Sequence, residues 1–307
     1  MDLISVRHGG KAALARALAR LERAPDAPDT VALLDAAYAE PRAHVVGMTG
    51  PPGVGKSTLM NALIAGWRGR GRRVACIAVD PSSRRSGGAL LGDRTRLSTD
   101  PEDPDIFVRS MAARDRLGGL AGLTVSAMVL MRALYDVVLI ETVGVGQSET
   151  DVVGVADTVL FCVQPGSGDS LQFMKAGIAE IPHLVVVTKA DMEQAARRAR
   201  SDVLGALSLG GHEGEGEGWS VPVLLVSSQR REGVDDLIAA IDAHAAFLAG
   251  GGRLGRARHA QAQSWLIEGV RERWGREGVA RAGSLDLPPA QSPFRRQAEI
   301  NDRLKGG

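Results

Sequence analysis

Gly50-Pro51-Pro52-Gly53-Val54-Gly55-Lys56-Ser57 fits the phosphate-binding pattern G-x-x-x-x-G-K-[ST] at every fixed position. The run His44-Val45-Val46-Gly47-Met48 before it reads as a buried parallel strand. After it, Met60, Leu63, Ile64 and Trp67 recur at spacings of three and four, as on one face of a helix. Strand, glycine loop and helix is the context in which backbone N–H groups and a helix N-terminus together cradle a polyphosphate. Lys56 then reaches the β- and γ-phosphates, and Ser57 places its hydroxyl on Mg²⁺. The pattern predicts a nucleotide-binding protein.

Working outward, apolar strand candidates recur at 44–48, 74–79, 106–108, 137–141, 158–163, 184–188 and 222–226, mostly separated by helical patterns. This alternation predicts an α/β fold, a P-loop NTPase with a mainly parallel sheet covered by helices on both faces. In such a sheet, residues closing a strand emerge at the carboxyl edge beside the phosphate loop. Asp80 closes one strand and Glu141 another, the latter leading into Thr142-Val143-Gly144 with a glycine able to sense the γ-phosphate. Asp93 follows the glycine-rich stretch 87–92. Ser57, Asp80, Asp93 and Glu141 are thus the candidate Mg²⁺ environment, directly or through water.

The base is read by Thr188-Lys189-Ala190-Asp191, after Leu184-Val185-Val186-Val187. A carboxylate at Asp191 can accept two hydrogen bonds from guanine, while the Lys189 stem covers the base plane. Adenine offers no matching pair of donors and leaves the carboxylate unpaired, a mismatch that can cost on the order of 10⁴-fold in binding. The familiar form of this motif begins with Asn; here Thr188 supplies a hydroxyl instead. Ser227-Ser228-Gln229, after a further strand, completes the pocket through its backbone. GTP and GDP are the expected nucleotides.

Composition adds exclusions. Lys plus Arg number 37 and Asp plus Glu 36 among 307 residues, so no global field favours nucleic acid or a membrane surface. Cys76 and Cys162 lie in apolar strand-like runs and read as core residues, and the His residues are scattered along the chain. No contiguous run reaches the ~18 apolar residues of a membrane span, and a cytoplasmic protein is expected. Residues 1–42 form a helical N-terminal extension, with Leu14, Ala17, Leu18 and Leu21 on one face and Val31, Leu34 and Tyr38 on another. Residues 43–249 carry the nucleotide domain, interrupted by the glycine- and glutamate-rich stretch 210–218. Gly250-Gly251-Gly252 then opens a C-terminal helical extension, 250–307. There Ala262, Trp265, Leu266, Gly269, Val270 and Trp274 form a stripe that packs on the core or on a second subunit.

The strings Val79-Asp80-Pro81-Ser82-Ser83, Gly87-Gly88-Ala89-Leu90-Leu91-Gly92-Asp93-Arg94-Thr95-Arg96, Leu117-Gly118-Gly119-Leu120, Glu141-Thr142-Val143-Gly144-Val145-Gly146-Gln147-Ser148-Glu149 and Pro165-Gly166-Ser167-Gly168-Asp169 resemble the MeaB/ArgK family of P-loop GTPases. That resemblance implies a homodimeric GTPase that guards an adenosylcobalamin-dependent acyl-CoA mutase, chiefly methylmalonyl-CoA mutase. Such a protein gates cofactor delivery from an adenosyltransferase and helps remove inactivated cofactor. It assigns Gly50 through Thr58 to the phosphates, Lys56, Glu141 and Gln147 to hydrolysis, and segments 84–96 and 142–152 to a γ-phosphate-dependent response. Small GTPases place a water-orienting glutamine directly after the glycine corresponding to Gly144, where this chain has Val145. Slow hydrolysis, accelerated by a partner that completes the site, is therefore expected. A nickel-enzyme metallochaperone of the same fold class is the alternative; it needs thiolate and imidazole ligands gathered in one place.

Overall fold

Seven strands form one wholly parallel sheet: β1 (His44–Thr49), β2 (Val74–Pro81), β3 (Ile106–Ala113), β4 (Val137–Glu141), β5 (Thr158–Val163), β6 (Leu184–Val187) and β7 (Val223–Leu225), in the order β3-β2-β4-β1-β5-β6-β7. They are seen in a computed structural model that describes residues 1–81, 97, 99–113, 122–142, 152–166, 182–209, 218–289 and 291–306. The expected strands are all present. β3 runs on past residue 108 to Ala113, although Arg109 and Ser110 break its apolar pattern, because it lies at the sheet edge with a single neighbour.

Side chains alternate across the sheet, as period-two geometry requires. Val45, Ala75, Ile77, Val138, Ile140 and Val159 face one core. It is covered by α1 (Leu3–His8), α2 (Gly10–Arg23), α3 (Pro28–Ala39) and α5 (Gly122–Arg132). Val46, Met48, Cys76, Leu139, Leu160 and Val186 face the other, under α4 (Lys56–Gly69) and, later in the chain, α7 (Val234–Ala249). The expected α4 stripe of Met60, Leu63, Ile64 and Trp67 is buried there. Truncating Leu63 to Ala would cost about 2–5 kcal/mol through lost transfer energy and the cavity left behind. α6 (Glu193–Leu209) covers the β6–β7 end with Ala196, Val203 and Leu207.

The first three helices pack into the same core as the sheet. In α2, Leu14, Ala17, Leu18 and Leu21 are buried as the spacing predicts. In α3 the buried set is Thr30, Leu33, Leu34 and Ala37, which corrects the expected Val31-Leu34-Tyr38 face; Val31 and Tyr38 are half-buried at its margin. Helix α8 (Arg253–Arg281) begins after positive-φ residues Gly251 and Gly252 and loses helical geometry at Gly275. It buries Ala262, Leu266 and Val270 against α9 (Pro293–Lys305). Both tryptophans of α8 turn to their own chain: Trp265 donates its indole N–H to the Gly154 carbonyl at 2.7 Å, and Trp274 to Asn301 Oδ1 at 2.8 Å. By length and composition alone the helical run Val234–Arg281 could cross a membrane. In the fold, α7 instead lays Leu237, Ile238 and Ile241 in the core.

Candidate functional site

The phosphate loop leaves β1 at the centre of the sheet, the topological position at which open α/β sheets bind ligands. Gly50, Gly53 and Gly55 have φ of 137°, 74° and 104°, values that side-chain-bearing residues rarely adopt. At Gly50 a Cβ would also lie 2.4 Å from the Cys162 carbonyl oxygen, so β5 leaves room only for glycine. Pro51 and Val54 are buried under the loop, while Pro52, Gly53 and Thr58 are exposed. Lys56 is buried, and its Nζ donates to the carbonyl oxygens of Gly50 at 2.7 Å and Pro51 at 3.2 Å. Those bonds hold the ammonium against its own loop, at the N-terminus of α4, where a polyphosphate would meet both the charge and the helix dipole.

Strand register brings the acids to the same edge. Glu141 pairs with Met48 of β1 on one side and Ala78 of β2 on the other, and Asp80 follows two residues along β2. Ser57 Oγ donates to Glu141 Oε1 at 3.0 Å, with Oε2 at 3.3 Å. A hydroxyl and a carboxylate side by side next to a phosphate loop are the hard oxygen donors that Mg²⁺ accepts, together with water and phosphate oxygens. The residues present fit that ion. Thr142 braces the edge, its N–H donating to the Met48 carbonyl at 3.2 Å. Asp93, Gly144 and Gln147, with residues 84–96 and 143–151, lie outside the described residues.

Beyond β5, the loops expected to read the base follow β6 and β7. Thr188, whose hydroxyl was expected to bond locally to the loop, ties loop to loop: it is buried, with Oγ1 2.7 Å from the Val54 carbonyl and 3.0 Å from that of Val163. Lys189 adopts φ 54° and reaches back, its Nζ donating to the Gly53 carbonyl at 3.1 Å and to Gln164 Oε1 at 2.5 Å. Its stem therefore bridges from the base loop to the phosphate loop. Asp191 Oδ1 accepts from Ser227 Oγ at 2.8 Å, and that bond holds its carboxyl below the usual range. Ser227 is fully buried and exchanges backbone bonds with Glu232, whereas Gln229 points to solvent and Ser228 is half-buried. Gln164 was missed from sequence. Its one signal is position, directly after β5 at the ligand-binding edge.

The far edge of the sheet holds a cluster that chain position hides. His44 Nε2 and His244 Nδ1 lie 2.6 and 2.7 Å from Thr158 Oγ1, and the His183 ring packs tilted by 32° against that of His244 with centroids 4.4 Å apart. The histidines are thus less scattered than their positions suggest. Burial pushes His183 down to about 4 and His244 to about 3, so the rings are neutral. Among the described residues no three His, Cys, Asp or Glu side chains are grouped so as to hold a metal ion. Cys76 and Cys162 are buried, and burial raises both thiols, Cys162 to about 12.

With this geometry in place, comparison with known proteins decides the family. The sequence profile described as methylmalonyl Co-A mutase-associated GTPase MeaB matches residues 14–281. The chain belongs to the MeaB family of GTPases. A putative GTPase of Pyrococcus horikoshii is 46% identical over 217 residues, 70% of this chain and 68% of that protein. The mitochondrial methylmalonic aciduria type A homolog of Mus musculus is 36% identical over 236 residues, 76% of this chain but 56% of its own length. A solved structure titled as a LAO/AO transport system kinase superposes with a TM-score of 0.68 at 27% identity, covering 99% of this chain and 96% of that one. This MeaB-family protein is therefore a P-loop GTPase that binds and hydrolyses a nucleotide, as the phosphate loop and parallel sheet predicted.

Proposed function

We propose that this MeaB-family GTPase uses GTP hydrolysis to time its service to an adenosylcobalamin-dependent acyl-CoA mutase, methylmalonyl-CoA mutase first among them. It gates loading of the cofactor and protects or reactivates the mutase. The observation that carries this reading is the match of residues 14–281 to a family described as mutase-associated, supported by the mouse relative's name. In the proposed arrangement the protein is a cytoplasmic homodimer, and an adenosyltransferase hands the cofactor through the complex.

At the site, backbone N–H groups of Gly50–Thr58 hold the phosphates, and Lys56 supplies fixed positive charge where negative charge moves during transfer. Ser57 and Glu141, with Asp80 and Asp93, would hold Mg²⁺, which when bound would supply positive charge to offset the negative charge that develops during transfer. Asp191 accepts from guanine, Lys189 lies across the base, and Ser228 and Gln229 close the pocket. Gly144 reads the γ-phosphate, and Gln147 joins the hydrolytic water. The loops after β2 and β4 respond to the γ-phosphate and present a surface that the mutase reads. The test is complex formation: with purified methylmalonyl-CoA mutase, binding by calorimetry should differ severalfold between the GDP form and the form bound to a non-hydrolysable GTP analogue. Equal affinities would refute the switch; absence of binding in both forms would point to another acyl-CoA mutase.

A further inference from the structure

Cys162, Val163 and Gln164, where β5 ends, each brace a loop of the nucleotide site. The Cys162 carbonyl oxygen lies so close to Gly50 that a Cβ there would come within 2.4 Å of it. The Val163 carbonyl accepts from the Thr188 N–H at 2.8 Å and from its hydroxyl at 3.0 Å. Both braces use backbone oxygens, which any residue supplies. The third depends on a side chain. Gln164 Oε1 accepts from Lys189 Nζ at 2.5 Å, and the same ammonium donates to the Gly53 carbonyl at 3.1 Å. Gln164 is half-buried beside the exposed Lys189.

The backbone of Lys189 is set for this contact. It lies in the left-handed region, φ 54° and ψ 41°, which a side-chain-bearing residue keeps only where its neighbours fix it. Here they do. Thr188 is tied to Val54 and Val163 on one side, and on the other the Ala190 N–H donates to the Val226 carbonyl at 3.2 Å. The remaining freedom is in the long stem, whose torsions are costly to order when a ligand arrives. An ammonium already held by acceptors from two different segments has lost that freedom beforehand, and preorganisation of this kind lowers the cost of binding. Gly53 supplies one acceptor from the phosphate loop. Gln164 supplies the other from the sheet, and so joins base loop, phosphate loop and β5 at a single charged group.

We infer that Gln164 is a positioning residue for the guanine nucleotide: by accepting from Lys189 it holds the lysine stem across the base position and slows nucleotide release. It acts through Lys189 and through no contact of its own with the base. The inference rests on the proposed guanine site at residues 188–191, and is independent of which mutase is the partner. Its consequence is that one neutral amide at the end of β5 sets how long GDP stays bound, and hence how long a partner meets the GDP form.

The experiment uses the full chain with Gln164→Leu, which removes the acceptor, and Gln164→Glu, which keeps an oxygen acceptor at the same reach. A fluorescent GDP analogue is bound with Mg²⁺ and chased with excess GDP to give the release rate, and melting temperatures are taken without nucleotide. Release from Gln164→Leu should be about three- to tenfold faster than from the parent. Gln164→Glu should return it to within about twofold of the parent. A purely structural role would lower the melting temperature of Gln164→Leu and leave release at the parental rate; that result overturns the inference. Equally fast release from both variants also overturns it, because the acceptor would then not be what matters. Should Gln164→Leu fail to fold, Gln164→Met, which lacks an oxygen acceptor, is read by the same criterion. Asp191→Asn tests the site itself: parental GDP affinity there would displace the guanine site and the inference with it. Weakened affinity there, with parental release from Gln164→Leu, would overturn the role of Gln164 alone.

Discussion

Ser57 Oγ lies 3.0 Å from Glu141 Oε1, joining the first turn of α4 to the end of β4 across 84 positions of sequence. A serine hydroxyl satisfied by a carboxylate is poised to exchange that bond for a shared hard cation. Glu141→Gln keeps an acceptor but removes the charge. It should raise the Mg²⁺ concentration needed for half-maximal hydrolysis by about tenfold and leave GDP binding in the absence of Mg²⁺ unchanged. A Mg²⁺ titration of the GTPase rate checks this; superimposable curves for variant and parent would remove Glu141 from the metal environment.

Lys56 carries the transition-state charge in this account, and its bonds to the Gly50 and Pro51 carbonyls fix it beforehand. Lys56→Ala should reduce single-turnover hydrolysis by about 10²–10³-fold or more. Substantial residual turnover would mean that another cation does this work.

Thr188 and Asp191 divide the labour of the proposed guanine site. Thr188→Val leaves the buried Val54 carbonyl without its donor, a loss of about 1–3 kcal/mol that should appear as weaker GDP binding. Thr188→Asn, the familiar residue of the motif, should restore it. Asp191→Asn should instead shift preference from guanine toward xanthine nucleotides. Competition assays with GDP, XDP and ADP separate the two effects; equal affinity of the parent for ADP and GDP would sink the base-pocket assignment.

Strands were legible because parallel strands buried on both faces read as continuous apolar runs, and β4 and β5 fall on their expected residues. The phosphate loop and the place of Glu141 at the end of β4 were legible because motif and strand end coincide. The bridges between loops were not. Gln164 meets Lys189, and Gln261 meets Val153 and Ala156, through contacts between distant parts of the chain, and a backbone carbonyl leaves no trace in sequence. The α3 face was misjudged because Val31 and Tyr38 fit the helical period as well as Leu33 and Ala37 do. Only the position of α5 chooses between the stripes.

The edge opposite the nucleotide sets an acid limit on stability. His183 and His244 have folded values of about 4 and about 3 against an ordinary 6.5, lowered chiefly by burial. Below pH 6.5 the unfolded chain takes up protons that the fold refuses, so stability present above that pH is lost as pH falls toward 4. Asp157 adds to this at lower pH: burial opposes its ionisation, but Arg258 holds it below the ordinary carboxylate value. Its contribution is present above the unfolded value and is lost as pH falls through the folded one. Melting temperatures should drop steadily from pH 7 to pH 4, and a His183→Asn/His244→Asn double variant should show a shallower slope. An unchanged slope would show that these rings are not the groups that titrate.

If hydrolysis signals to a cobalamin-dependent mutase, the mutase must in turn change the GTPase rate, and a titration reads that change. Purified methylmalonyl-CoA mutase, and in parallel a second cobalamin-dependent acyl-CoA mutase, are added in increasing amounts to this protein at saturating GTP and Mg²⁺. The GTPase rate should rise at least about tenfold and saturate with one of them, and Lys56→Ala should show no rise. A rate that stays flat with both mutases would contradict it.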